Sequence, residues 1–462
     1  MKCGYYQLDA GVRRLAHASL GELTDLFEPW LRLHDAFGAP ARNRLFSPSR
    51  TFWLFLSQVL AADQSCRETV RKFLAWLAIH EKPSASPKTG AYCRARDRLR
   101  LEDLEAACRK VAGAVQAAGG QDTWFGRQVC VLDGSSVSMP DTQANQAFYP
   151  QPTTQKPGCG FPVMRFVAAF SLATGAILEV AKGALHVSER TLFRQLWPLL
   201  KPADVVLADC GFCSLADFYF LGQKGVDSVM RNHQRRKTGI ELVKTIEKGD
   251  RLIQWLKAKP CPKWLSREQW AAVPAKLLVR EITFTVDVPG FRSQTLTIVT
   301  SLLDSKQFPK HAFVELYRRR WMVELYLRDI KTTMGMDVLR CKTPDRVHKE
   351  LAMYLVAYNL IRALILEAAK TKGLTPYRLS FKGALAAVRQ WAPFMASPYL
   401  TPYERKAMSR ALLDSIARDN VPLRPYRSEP RARKRRPKNY QLLNKPRNLF
   451  KEIQHRNRYS AP

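Results

Sequence analysis

Two short apolar runs, each closed by an aspartate, decide how this chain is read: residues 128–136, QVCVLDGSS, and residues 204–211, DVVLADCG. Aliphatic runs this short, bounded by turn-forming residues, predict buried strands rather than helices. The first strand is expected over 128–132, ending at Asp133-Gly134-Ser135. The second is expected over 204–208, ending at Asp209-Cys210-Gly211. A parallel or mixed sheet carries its reactive groups at such ends, where the chain leaves the sheet and a side chain faces a crevice. Each aspartate is followed within two residues by glycine, which leaves room for a ligand. One aspartate after a strand is usually a turn former; two in this strand order are harder to dismiss.

Working outward, 161–172 and 176–182 read as strands joined by the Thr174-Gly175 turn. A helix is expected over 188–200, a second over 218–223, and a fifth strand over 226–230. The order strand, strand, strand, helix, strand, helix, strand describes a mixed α/β sheet, with hairpins first and helical crossovers later. After a basic stretch holding Trp255, Trp264 and Trp270, two alternating strands over 277–288 and 294–303 flank Pro289-Gly290 as a hairpin. Residues 1 to about 120 read as helices. Ser47-Pro48 makes a helix start, and Phe52, Leu56, Val59 and Leu60 follow at helical spacing. A later helix in this region carries Arg94, Arg96, Arg98 and Arg100, a solvated face or a DNA-facing one. Helices are also expected over 309–334 and 344–372.

The chain has 462 residues and no shortage of core, but 74 Lys and Arg stand against 40 Asp and Glu, a formal net charge of +34. Such an excess implies a polyanionic partner, nucleic acid first. The apolar stretch 166–180 is broken by Thr174-Gly175, and 354–369 carries Asn359 and Arg362, so neither gives the roughly 20 clean residues of a membrane span. No membrane partner and no signal peptide are expected. The ten cysteines are scattered, only Cys210 and Cys213 lying close together. That is no disulfide framework and lacks the second pair of a zinc site, consistent with a reducing cytoplasm.

The third chemical element is residues 317–331, YRRRWMVELYLRDIK. At 100° per residue, Tyr317, Arg320, Glu324 and Lys331 fall within about 60° of one helix face. A lone carboxylate among a phenol, a guanidinium and an ammonium suits a phosphodiester held beside a metal-bound carboxylate. Arg320 and Glu324 also have the spacing of an ordinary surface ion pair. Asp133, Asp209 and Glu324 would supply hard oxygen ligands for two Mg²⁺ or Mn²⁺ ions, the pair that clamps an in-line phosphoryl displacement. No Gly-x-x-x-x-Gly-Lys loop is present, so no nucleotide cofactor is expected.

The spacing Tyr-x2-Arg-x3-Glu-x6-Lys at Tyr317, Arg320, Glu324 and Lys331 resembles the YREK signature of the IS4-family bacterial insertion-sequence transposases. VLDGSS at Asp133 and VVLADCGF at Asp209 resemble that family's first and second Asp motifs. The resemblance spans roughly residues 40–450. It implies a ribonuclease-H-like catalytic core of the DDE type with a β-rich insertion, preceded by an all-helical N-terminal domain. The expected layout is 1–120 helical and DNA-binding, 121–231 first part of the core, 232–305 insertion, 306–375 the remainder with the Glu-bearing helix, and 376–462 a C-terminal helical region and basic tail. It also implies cut-and-paste transposition through a DNA hairpin, with Tyr317, Arg320 and Lys331 on phosphates and a homodimer bridging two element ends. Arg431, Arg433, Lys434, Arg435, Arg436 and Lys438 in the tail would add phosphate contacts. The alternatives are a metal-dependent nuclease on the same core and a catalytically silent, transposase-derived DNA-binding protein. Three intact carboxylates weigh against the latter, since their repulsion is unfavourable without a metal.

Overall fold

The computed structural model describes residues 26–27, 30–31, 44–119, 123–233, 238–286, 294–395, 397, 399–421 and 443–450. Helices come first: α1 (Pro48–Leu60), α2 (Cys66–Ile79), α3 (Gly90–Arg98) and α4 (Leu101–Ala118). The Ser47 and Ser65 hydroxyls accept the backbone N–H groups of Arg50 and Glu68, capping α1 and α2.

Strand β1 (Val129–Ser138) leads, through the short helix α5 (Gln143–Phe148), to the hairpin β2 (Val163–Ser171) and β3 (Ile177–Ala184). Helix α6 (Glu189–Gln195) crosses to β4 (Val205–Ala208), and α7 (Leu215–Gln223) to β5 (Asp227–Arg231). These strands lie side by side as β3-β2-β1-β4-β5. β2 is antiparallel to both neighbours, while β1, β4 and β5 run parallel. This is the ribonuclease-H-like arrangement. Both faces are buried: Val129, Val131, Val205 and Leu207 belong to one apolar cluster, Cys130, Leu132, Val206 and Ala208 to another. That explains why these strands read as unbroken apolar runs.

β1 runs further than the sequence suggests. Asp133-Gly134-Ser135 is strand, not turn, because Asp133 through Ser138 stay paired with β2 after the pairing to β4 has stopped at Val131↔Leu207.

The insertion holds four strands where the sequence showed two. β6 (Ile240–Glu247) and β7 (Asp250–Leu256) form a hairpin ahead of α8 (Arg267–Ala272), β8 (Lys276–Val286) and β9 (Gln294–Thr300). β6 was hidden because it is an edge strand without one apolar face; Leu242 and Val243 are both exposed. The tip of the β8–β9 hairpin, with Pro289-Gly290, lies outside the described residues. β9 pairs antiparallel with β5, so the insertion extends the core sheet to nine strands. Arg280 on β8, fully buried, donates to both carboxylate oxygens of Asp250 on β7 and to the Phe308 carbonyl, fastening the insertion to the chain that follows it.

The expected helix over 309–334 is three pieces: α9 (Lys310–Arg319), α10 (Met322–Arg328) and a π-helical turn, Asp329–Thr333. Helix α11 (Pro344–Thr371) follows, then α12 (Phe381–Met395) and α13 (Pro402–Arg418). α11 is long and apolar enough to cross a membrane, yet its most apolar window is 94% buried inside the protein. It is a core helix, packed against α1, α4 and α13.

Two of the buried polar residues of α11, Asn359 and Arg362, are internal clamps. Asn359 accepts the Ile177 N–H and donates to the Ile177 carbonyl, both at 2.8 Å, holding the start of β3. Arg362 donates to Asp329 at 2.8 Å and to the Tyr358 hydroxyl at 2.9 Å, inside a ring of Tyr326, Tyr358 and Phe381. Replacing Asn359 by Leu would orphan both Ile177 backbone groups in the core. Asn359→Leu is expected to lower unfolding stability by about 2–4 kcal/mol, measured by urea denaturation.

Candidate active site

β1 and β4 pair in parallel with Val131 opposite Leu207. Two residues on, with the same facing by the period-2 alternation of strands, come Asp133 and Asp209. Both leave the sheet on the side covered by Leu316, Tyr317, Val323 and Leu327 of α9 and α10, which share one apolar cluster with Val131 and Leu207. The strand register thus brings the two sequence-predicted aspartates to one edge, under the helix predicted to carry the third carboxylate.

Local structure fixes each aspartate. Gly134 N–H donates to Asp133 Oδ1 at 2.8 Å, and Cys210 N–H to Asp209 Oδ1 at 2.6 Å, where Asp209 caps a 3₁₀ turn, Cys210–Phe212. Burial pushes the Asp133 carboxyl up to about 6; the Gly134 N–H and Arg320 pull the other way, while Glu324 and Glu189 push further.

Arg320, at the break between α9 and α10, donates to Glu324 Oε1 at 3.1 Å. The pair is asymmetric: the Arg320 side chain is 12% exposed and that of Glu324 51%. Burial works against the guanidinium, but Tyr317, Asp209, Glu324 and Asp133 outweigh it and hold its pKa above the ordinary value. Arg320 therefore sits in the field of all three carboxylates. Tyr317 is nearly buried, so its phenol is pushed up by desolvation, and Arg320 lies over its ring at 5.7 Å.

Lys331 lies on the π turn that follows α10. Its ammonium donates to Ser135 Oγ on β1 at 2.8 Å and pairs with Asp337 at 3.1 Å. This brings it to the strand that carries Asp133, two residues away.

Three residues escaped the sequence reading. Glu189, first residue of α6, occupies the space expected to be free for a ligand: a Cβ on Gly134 would lie 2.5 Å from the Glu189 carboxyl carbon. Arg231, the last residue of β5, lines a cleft with Tyr317, Arg320 and Trp321. Ser135 holds Lys331. The glycine after Asp133 was the available signal for Glu189, but nothing in the sequence said what would fill the gap. Trp255 lies on insertion strand β7 yet is fully buried against Phe218, ring centroids 5.1 Å apart. The exposed indole beside the site is Trp321. The six basic tail residues from Arg431 to Lys438 lie outside the described residues.

Hard carboxylate oxygens are the right donors for Mg²⁺ or Mn²⁺. A cation would also offset the burial of Asp133. Among the described residues, however, no group of three or more His, Cys, Asp or Glu stands close enough to hold a metal ion. Glu324 faces Arg320 instead. The donor set fits a divalent cation in kind, with Glu324 required to exchange one cation for another.

A mixed sheet of this order presents two aspartates at matching strand ends, an arrangement that suits metal-assisted phosphoryl transfer. The transposase DDE domain family model matches residues 124–360, and the chain belongs to that family; it is a transposase, an enzyme of DNA phosphoryl transfer. It is 27% identical over 408 residues to the transposase InsG for insertion sequence element IS4 of Escherichia coli (strain K12), covering 86% of this chain and 88% of InsG. It is 28% identical over 140 residues to the putative transposase InsZ of the same organism, covering 29% of this chain and 46% of InsZ. Among solved structures, the cryo-EM structure of the piggyBac transposase synaptic complex with hairpin DNA aligns with a TM-score of 0.40 and 11% identity, over 84% of this chain and 82% of that one.

The raised Asp133 carboxyl has a consequence for stability. It holds its proton more tightly folded than unfolded, so its contribution is full below about pH 4 and is lost as pH rises through about 6. In metal-free protein, Asp133→Asn is expected to be more stable than wild type at pH 8, by about 1–3 kcal/mol, and no more stable at pH 4. Thermal melts at the two pH values check this.

Proposed function

We propose that this chain moves an IS4-type insertion sequence by cutting at its terminal inverted repeats and joining the freed ends to target DNA. The reading is carried by the in-register Asp133 and Asp209 under a helix whose Arg320 feels both of them and Glu324. Asp133, Asp209 and Glu324 are the residues that would hold two Mg²⁺ or Mn²⁺ ions. When bound, such ions activate the attacking oxygen and stabilise the leaving one. Arg320 grips a DNA phosphate, and the carboxylate it releases, Glu324, becomes available to the cation. Tyr317, Lys331 and Arg231 orient the same strand end. The N-terminal helices hold the inverted repeat, and the basic tail adds salt-sensitive phosphate contacts. The working unit is a homodimer on two ends, in a bacterial cytoplasm.

The finer sequence of steps follows the family resemblance. Water frees a 3′-OH at the element end, and that hydroxyl attacks the opposite strand to form a hairpin. A second water opens the hairpin, and the 3′-OH joins the target. Trp321, partly exposed beside Arg320, is the indole placed near enough to the site to hold a displaced base.

Linear DNA bearing an element end, with and without Mg²⁺, tests the reading. Wild type is expected to cut at the boundary only with the metal. Asp209→Asn and Glu324→Gln are expected to bind the end but lose cleavage by at least about 10³-fold, as loss of the groups that support a transition state does. Lys331→Ala should weaken engagement of the end with less effect on overall affinity. Cutting without joining would indicate a nuclease, and binding without cutting in any divalent metal a silent DNA-binding protein. Trp321→Ala is expected to nick normally and accumulate less hairpin on a denaturing gel.

A further inference from the structure

A cleft of about 770 Å³ lies between the insertion and α9, outside the carboxylate site. Glu247 and Asp250, paired across the tight turn that joins β6 to β7, stand on one wall. Lys310, His311, Glu315 and Arg318 of α9 stand on the other. At 100° per residue these four fall within about 140° of the helix, away from the buried Ala312, Phe313 and Leu316. Arg318 also lines the smaller cleft that holds Arg231, Arg320 and Trp321, so the two clefts meet at its side chain. A groove thus runs from the β6–β7 turn along α9 to the catalytic residues.

The charges in the groove are unequally committed. Asp250 is satisfied internally, because it and the Arg280 guanidinium are both buried and bonded to each other. Lys310 Nζ donates to the Lys248 carbonyl at 2.6 Å, which fixes the ammonium beside the turn and leaves two of its N–H groups for other acceptors. Arg318 is exposed and has no ion pair among the described residues. Lys310 and Arg318 lie about 12 Å apart along the helix, at 1.5 Å per residue, which is roughly three to four steps of 3.4 Å between stacked nucleotides. Cations at that spacing, leading to a guanidinium and an indole beside a carboxylate, suit an extended phosphodiester strand rather than a compact ligand.

The direction of such a strand follows from what lies at each end of the helical segment over the sheet. The N-terminal helices meet its far end, where Gln64 donates to the Met334 carbonyl just beyond Lys331. The insertion meets its near end, where Val286 and Leu296 line the cleft with Tyr317 and Arg320. An uncut strand entering from the N-terminal helices therefore leaves past the insertion.

We propose that the groove along α9 holds the DNA strand flanking the element, over the first few nucleotides outside the scissile position. The proposal rests on the reading above in which the N-terminal helices hold the inverted repeat. Lys310 and Arg318 take phosphates of the flank. Glu247 and Glu315 keep the hold weak, which suits a strand that must depart once it is cut.

Two DNAs test this with the full-length protein in metal-free buffer: an uncut element end carrying its flank, and the same end already cut at the boundary. The double variant Lys310→Gln/Arg318→Gln is expected to bind the uncut DNA about tenfold more weakly, with a slope of log affinity against log salt shallower by about 2, for two lost phosphate contacts. Its affinity for the pre-cut end should equal that of wild type, which also shows that it folds. In wild type, 5-iododeoxyuridine placed about three nucleotides outside the boundary should photo-cross-link to the α9 peptide. Equal loss on both DNAs, loss on neither, or a cross-link confined to the N-terminal helices overturns the proposal. Wild type that prefers neither DNA to random sequence would instead refute the end-binding reading on which the proposal stands.

Discussion

The site depends on one short stretch of parallel pairing, Val129 to Val131 against Val205 to Leu207. Three rungs set the register, and the register alone decides that Asp133 and Asp209 emerge side by side. A slip of one residue would turn one aspartate to the opposite face of the sheet, among Leu192, Phe193 and Phe218. Such a slip is costly because it would bury a carboxylate among apolar side chains, so the aspartates themselves help to fix the alignment of β1 and β4.

The second requirement is that the helix above the sheet be held at one height and rotation. Arg362, from the middle of the core helix α11, grips Asp329 at the start of the π turn. Lys331 ties the same turn to Ser135 on β1, and Gln64 donates to the Met334 carbonyl just beyond it. Glu324 and Arg320 are thereby presented from a segment anchored at its far end to three separate elements. Local preference would not select a π turn here; tertiary contacts on both sides of it do.

What the sequence revealed and what it concealed divide along physical lines. Strands buried on both faces, β1, β2, β4 and β5, were legible because continuous apolar runs admit few other readings. The edge strand β6 was not, because a solvated edge imposes no pattern. The Tyr317, Arg320 and Glu324 positions were legible at ordinary helical spacing. The π turn that carries Lys331 was not legible, because it leaves no mark in composition. Glu189 and Arg231 come from elements 56 and 98 residues beyond Asp133, and only the folded sheet brings them near it. Asn359 and Arg362 do not keep α11 from being long and apolar enough to cross a membrane, and their role as clamps required knowing what lay opposite.

The pairing of β9 with β5 turns an insertion into a continuation of the catalytic sheet. A segment joined to its host only by two linkers can open independently, and its amides exchange with solvent on their own schedule. Here β5 cannot lose its outer neighbour without exposing a catalytic-sheet strand as a raw edge, which invites pairing with other chains. The insertion therefore serves as the sheet's selvage, and its amides near β9 should share the slow exchange of the centre rather than behave as a detachable flap.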